Sequence, residues 1–466
     1  MTWARELAEL LPGRVALGEA ERIAVAADMS PVRQMAALGG ARLERPAAVV
    51  RPGRREDVQA VMRFAGARGL HVVARGGGSG VVGAVAAGAD DIVLDLRGLA
   101  GIGPLDADSG LVTVEAGCLL QTLEDLLASS GLTLGHYPQS IALASLGGLV
   151  ATRSSGQYST RYGNIEDMVA GLEVVTADGA VTRFGRPPRR SLGPEAWPLF
   201  VGSEGTLGVI TAVTLSLWPL PPAEEVRSYA FGDFRQGLGA MRRVTRGGLP
   251  LGVVRLYDRD DAMHGFAGLL PEEGVGALLL LSCLGEPEVA AGGAAAADRI
   301  ASAFGGQPLP LAIGRHWLAA RNDVSEWGQY LAQGVLVDTI ECGAVWSAIA
   351  DVYDAAIAAV RQVPEVVAAF AHAAHAEACG ASLYFTVAAV PGTGADAAEV
   401  GRRLWDALLA AAAAKGASVG HHHGVGRMRR AWAWRERREE LAFLESLRAA
   451  LDPGRILNPG ALWPDP

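Results

Sequence analysis

The sequence predicts an α+β fold, in which a two-lobed α/β domain carries a cap built on an antiparallel sheet covered by helices. Two observations carry that prediction. Residues 45–75 run strand, helix, strand and end directly in a glycine cluster. After Pro219, Pro221 and Pro222 the texture changes to apolar strands separated by alanine-rich helices. A chain of 466 residues is too long for one small core and has room for two or three domains. The expected division is 1–222, 223–416 and a C-terminal segment, 417–466. That last segment has too few apolar residues for its own core and is expected to return to the first domain.

In order, residues 47–50 form a short apolar strand ended by Pro52. Residues 56–68 put Val58, Val61, Met62 and Ala65 on one helical face. Further strands are expected at 70–74, 92–96 and 112–115, and an amphipathic helix at 119–128 stopped by Gly131. Residues 171–184 read as strand around the turn Ala177-Asp178-Gly179, and 207–218 alternate apolar with small polar residues. Cap strands are expected at 252–256, 276–283, 335–341 and 382–389. A charged helix is expected at 429–451, before the turn Asp452-Pro453-Gly454.

Composition excludes several functions. Forty-one basic against fifty acidic residues, a formal charge of −9, leave no basic footprint for nucleic acid. Lys415 is the only lysine and no G-K-[ST] occurs, which rules out a P-loop nucleotide site. A pyridoxal-phosphate enzyme would have to rest on Lys415 alone. Cys118, Cys283, Cys342 and Cys379 lie far apart without a C-x-x-C, so buried free thiols in a reducing compartment are expected. The longest clean apolar stretch, 277–284, is far short of the roughly 20 residues a membrane helix needs. The N-terminus lacks a charged-then-apolar leader pattern, so the expected location is the cytoplasm.

Four motifs can carry chemistry. The first is Ala74-Arg75-Gly76-Gly77-Gly78-Ser79-Gly80, directly after a strand. Gly78 to Gly83 satisfies G-x-G-x-x-G, but only a short stretch beginning at Ala84 separates it from the next strand, too little for a dinucleotide-binding helix. Bare backbone N–H groups offered to phosphate oxygens survive as a reading, beside a plain glycine turn. The second runs Gln139-Ser140-Ile141-Ala142-Leu143-Ala144-Ser145, then Gly147-Gly148 and Thr152-Arg153-Ser154-Ser155. So many small and hydroxyl residues together suit close approach to a large flat ligand. The third is Glu204-Gly205-Thr206-Leu207-Gly208-Val209-Ile210. The fourth is His421-His422-His423 within a glycine frame, with His372 and His375 in the cap. Metal binding and proton carriage both fit this histidine set. The spacing of His372 and His375 is not that of a helical zinc pair, and the expected site contains no metal. Tyr384 lies in a cap strand.

In this order the motifs resemble those of the FAD-binding superfamily that includes vanillyl-alcohol oxidase and D-lactate dehydrogenase. More finely, GHYPQS (135–140), SLGGLVATRSSG (145–156), YGNIEDMV (162–169), RLYD (255–258), VLVDTIE (335–341), AHAAHAEACGASLYFTV (371–387), HHHGVGR (421–427) and LDPGRILNPGAL (451–462) resemble alkyldihydroxyacetonephosphate synthase and its bacterial relatives. The resemblance implies a PCMH-type FAD-binding domain, with FAD contacts at 74–80, 139–145, 152–155 and 204–210. It implies catalytic roles for Tyr384, His421, His422, His423 and Arg255, and places the histidine run beside the flavin ring. Ser79 stands where covalent members often carry a histidine, so the FAD is expected to be dissociable.

Two activities follow from the resemblance. One is an FAD-dependent oxidoreductase, in which a hydroxyl-bearing small molecule gives a hydride to flavin N5. The other is a redox-neutral synthase-type transferase that uses N5 as a covalent nucleophile. The synthases carry an arginine shortly before the VDT-x-E strand, where this chain reads Ser325-Glu326-Trp327-Gly328-Gln329-Tyr330. A substrate without phosphate is therefore expected, in a pocket including Trp327, Glu377, His372 and His375. A small-molecule substrate is the one partner class expected. Nucleic acid and a membrane span are not, and a homodimer is left open.

Overall fold

The computed structural model describes residues 2–185, 187–188, 190–323, 325–392 and 396–463. The first sheet has the order Val15–Ala16, Ala48–Val50, Ile92–Asp95, Val72–Arg75, and its last three strands are parallel. These short apolar strands are buried, as parallel strands with covered faces must be. The helix Arg55–Gly66 packs Val58, Val61, Met62 and Ala65 onto them. No helix forms between Val72–Arg75 and Ile92–Asp95, so the glycine cluster stays an extended loop.

The second lobe is antiparallel, in the order Leu111–Glu115, Val209–Ser216, Val169–Val175, Val181–Phe184. The cap follows as a seven-stranded antiparallel sheet. Its order is Gln307–Pro308, Ala223–Phe231, Ala277–Gly285, Leu251–Asp258, Val366–Ala374, Gly380–Ala389, Leu336–Val345. Two of its long strands, Ala223–Phe231 and Val366–Ala374, escape the sequence pattern. The first opens on Glu224-Glu225, and the second is mostly alanine, a weak strand former. Each is held by pairing on both sides rather than by propensity.

Period-2 alternation gives the cap sheet two different faces. Leu256, Ile340, Cys342, Ala371, Ala373, Leu383, Phe385 and Val387 pack with the cap helices. The opposite face packs against the second lobe, where Val253, Tyr257, Leu278 and Leu280 share a core with Leu146, Tyr158 and Ile210. The alternate residues of the same strands, Arg255, His372, Tyr384 and Glu341, therefore face the lobes.

The expected charged helix at 429–451 is two helices, Arg430–Glu436 and Leu441–Leu451. Residues 435–440 are all charged, so no apolar stripe holds a helix across them, and Arg437 instead pairs locally with Glu440. Beyond, Leu457 bridges Val72 in parallel, and Asn458 Nδ2 donates to the carbonyls of Ala84 and Glu204. Cys118, Cys283 and Cys342 are buried, but Cys379 is exposed in the turn between two cap strands, against the expectation of four buried thiols. No helix among the described residues is long and apolar enough to cross a membrane.

Candidate active site

The glycine motifs converge from three segments. A Cβ at Gly76 would stand 1.9 Å from Ser145 Oγ, and one at Gly77 1.7 Å from the Leu143 carbonyl oxygen. The first loop thus lies directly on the second, at a distance only glycine tolerates. Ala74 lies beside Gly205 of the third motif, 3.5 Å from the position of a Cβ there. Gly78 has φ +73°, and the Arg75 guanidinium folds back over it. Arg75 is buried and donates from Nη2 to the Ala27 carbonyl at 3.2 Å, while Nε and Nη1 have no partner. Ser145 Oγ is also buried and unpartnered.

Unmatched buried donors beside a glycine-lined seam are what a phosphate-bearing cofactor would satisfy. The residues present therefore fit an FAD. Arg75, Gly76, Gly77, Gly78, Ser79, Gly80 and Ser145 would face its phosphates. Gln139 and Leu143 are exposed, and Ser140 and Ala142 at least partly so, whereas Ile141, Leu207, Val209 and Ile210 are packed in the cores. Thr206 Oγ1 is turned to the Ser203 carbonyl, and Gly208 lies against Val174 and Phe200. Thr152 Oγ1 bonds back to the Gly148 carbonyl. Ser154 meets buried His136, and Ser155 donates to Asn164. The Arg153 side chain is largely exposed and paired with Glu166. Sequence reasoning missed Asp28, which accepts from the Gly83 N–H at 2.7 Å and pins the far end of the first loop. Burial raises its carboxyl pKa.

On the lobe-facing side of the cap sheet, register places four residues in one row. Tyr257 pairs with His372, His372 with Tyr384, and Tyr384 with Glu341. The rings of His372 and Tyr384 stack, with centroids 4.9 Å apart and planes at 20°. His372 is on a strand, not a helix, and His375 follows that strand with φ +50°. His372 Nδ1 donates to Asp261 Oδ2 at 2.8 Å, and its Nε2 accepts from Arg255 Nη2. That double engagement fixes one neutral tautomer; burial, then the Arg255 charge, lowers the pKa of the ring.

The C-terminal loop closes the cluster. The His422 ring lies 4.6 Å from His375, 4.4 Å from His423 and 6.0 Å from Tyr384, the last pair nearly parallel at 15°. His421 lies 5.6 Å from His375, whose Nδ1 is 2.9 Å from Ser159 Oγ. Burial lowers all five histidines: His421 and His423 to about 4, His422 and His375 well below the ordinary value, with neighbouring imidazoles adding to the shift at three of them. The cluster is therefore neutral near pH 7. Burial also raises the Tyr384 phenol, so it holds its proton. Among the described residues, no three His, Cys, Asp or Glu side chains stand in a metal-holding group.

The fold thus brings together Arg255, His372, His375, Tyr384, His421, His422 and His423. Trp327 is half-buried on Ser325–Ala332, a helix whose Leu331 packs in the cap core. The side chain of Glu326 lies outside the described residues. Glu377 is exposed at the rim and accepts from Asn164 Nδ2 at 3.2 Å. Glu204, expected at the cofactor, points its carboxylate instead at the histidine loop, accepting from the Val425 and Gly426 N–H groups. Asp261 and Ser159 had no motif to mark them; only the fold sets them against the histidines.

The family described as FAD binding domain matches residues 46–185, and the family of FAD linked oxidases, C-terminal domain, matches residues 220–462. An uncharacterised FAD-linked oxidoreductase, YgcU, of Escherichia coli O157:H7 is 33% identical over 440 residues, covering 90% of this chain and 89% of that protein. The alkyldihydroxyacetonephosphate synthase of Trypanosoma brucei brucei is 28% identical over 461 residues, covering 90% of this chain and 74% of that protein. A solved structure of an alkyldihydroxyacetonephosphate synthase superposes with a TM-score of 0.78 at 22% identity, covering 98% of this chain and 84% of that one. The chain belongs to the family of FAD-linked oxidases.

Proposed function

We propose that this member of the FAD-linked oxidase family dehydrogenates a hydroxyl-bearing, non-phosphorylated small molecule. Bound FAD supplies a two-electron acceptor that takes a hydride at N5. The chain supplies the proton acceptor and the enclosure. The observation that carries the reading is the neutral histidine cluster around Tyr384. A neutral imidazole accepts the proton of a substrate hydroxyl, and stacked neighbours pass it on without burying a permanent charge. The Arg255 cation beside His372 favours the alkoxide that develops as that proton leaves.

The engagement of Arg321 supports the absence of a phosphate. A dianion needs an open guanidinium fork. Arg321 donates to Gln157 Oε1 at 2.7 Å while lying over Tyr137 and Tyr158, and Arg255 gives Nη2 to His372 while its Nε has no partner among the described residues. The FAD is held without a covalent bond in this reading, since loop 75–80 contains only arginine, glycine and serine. Free thiols suit a cytoplasmic location.

The test is anaerobic mixing of the yellow holoprotein with small alcohols and hydroxy acids, followed by absorbance and product mass. Bleaching with one equivalent of carbonyl product is expected. Unbleached flavin with an ether product from acyl-dihydroxyacetonephosphate and a long-chain alcohol would replace this reading with the synthase reaction. Acid precipitation should leave the FAD in the supernatant.

A further inference from the structure

The row across the cap sheet ends at Glu341, a fully buried carboxylate. Its Oε1 accepts from the backbone N–H groups of His421, His422 and His423 at 3.1, 3.0 and 2.9 Å, and from Arg429 Nη1 at 2.6 Å. Three successive N–H groups turned on one point form an anion-binding concavity. Here the chain fills it with its own side chain. Arg429, equally buried, neutralises that carboxylate and stacks over Trp405 at 4.9 Å. The other end of the loop meets a second buried carboxylate. Glu204, from the motif entering the strand Val209–Ser216, accepts from Val425 at 2.5 Å and Gly426 at 2.9 Å. Its backbone adopts φ +50°, strained for a non-glycine residue, and this aims the carboxylate at the loop.

We infer that Glu341 and Glu204 are positioning residues: two buried carboxylates, one from the cap and one from the FAD-binding half, clamp the loop 421–426 from opposite ends by its main chain. The inference rests on the histidine loop serving the reaction proposed above. Main-chain grip is what the site requires. A loop held through side chains would commit the imidazoles, whereas this one leaves all three rings to face Tyr384 and His375. The clamp also ties the two halves together, so the histidines are assembled only when cap and lobes are docked. Gly424, between the two grips, has φ +84°, and a Cβ there would stand 2.6 Å from Glu204 Oε1. The chain must therefore turn tightly at that point.

Residue-resolved hydrogen exchange on the FAD-loaded protein tests the clamp, together with histidine titration by NMR. In the wild type, the amides of His421, His422, His423, Val425 and Gly426 should exchange slowly, and that of Gly424, which makes no such bond among the described residues, quickly. Glu204→Gln should speed exchange at Val425 and Gly426 about tenfold, Glu204→Ala more, with 421–423 less affected. Glu341→Gln should reverse that pattern. Released histidines should titrate near the ordinary value of about 6.5 instead of staying neutral. A merely structural carboxylate would not move that titration at unchanged melting temperature. Wild-type amides at 421–423 as fast as Gly424 would overturn the clamp, as would Glu204 variants that leave exchange and titration unaltered. Should Glu341→Gln fail to fold, the wild-type amides and the Glu204 pair still decide. Absence of flavin bleaching with these amides protected would sink the proposed reaction and leave the clamp standing.

Discussion

In the FAD-binding lobes the chain offers its backbone to the site, and in the cap it offers side chains. The seam between loops 75–80 and 139–145 consists of glycines and small residues whose virtue is what they lack, since a Cβ at Gly76 or Gly77 would strike the facing loop. The cap cluster is the reverse. Arg255, His372, Tyr384 and the run at 421–423 come from four separate segments, and a strand register with a returning loop brings them within ring contact. The contrast teaches that a glycine seam can be encoded locally, while the cluster of histidines around Tyr384 is encoded by registration. Mutations should separate the two regions: the cap should lose turnover and keep FAD, and the seam should lose FAD.

The largest effect is expected in the cap. Tyr384→Phe should lower the rate of flavin bleaching by about 10²–10⁴-fold, the range for loss of an acid–base group, with FAD content unchanged. Loss of FAD in this variant would dissolve the distinction between the two regions. Next comes pH. His421 and His423 sit at about 4 in the fold, against an ordinary 6.5 in the unfolded chain. Between those values the unfolded chain binds more protons, so stability falls as pH drops from 6.5 toward 4. The loss is on the order of 3 kcal/mol for each ring. Glu204 opposes it: burial holds its carboxyl at about 7, so its contribution fades as pH rises from 4.5 through 7. Melting curves of wild type and His421→Asn between pH 4 and 7 check the sign. Parallel curves would mean that the ring is not held neutral.

A smaller effect belongs to the seam. Gly77→Ala forces the Leu143 carbonyl away and should cost about 1–3 kcal/mol, with FAD content falling by an order of magnitude or more. Gly292→Ala, in a helix with open space around it, should instead stabilise by about 0.5–1 kcal/mol and leave the flavin spectrum alone. The smallest is Arg153→Ala. This side chain is two-thirds exposed and pairs with Glu166, so its loss should cost less than about 1 kcal/mol. Titration of the apoprotein with FAD reads whether Arg153 also contributes to retention.

The parts of the site legible in the sequence are those built from neighbours. Arg75 to Gly80, the hydroxyl-rich run to Ser155 and the histidine triplet are contiguous, so residue type and spacing reveal them. Glu341, Asp261, Ser159 and Arg429 were not legible as parts of the site. Each reaches the cluster only by lying opposite something distant, as when Glu341 meets the N–H group of His421 eighty positions later. Ala223–Phe231 and Val366–Ala374 escaped for the related reason that strand pairing, not composition, makes them strands.

The sequence by itself determined the α+β class, the clustering of glycine and hydroxyl residues into motifs, and an inventory with one lysine and no C-x-x-C. These follow from backbone freedom, local periodicity and residue inventory, which need no partner to act. Only the tertiary structure decided which face of the cap sheet Tyr384 and His372 occupy, that Glu204 serves the histidine loop, and that five histidines stay neutral together. The physical reason is that register, burial and hydrogen-bond pairing are properties of two segments at once. A one-residue slip of the strand Gly380–Ala389 would turn Tyr384 into the helix-packed core and leave the same sequence with no centre at all.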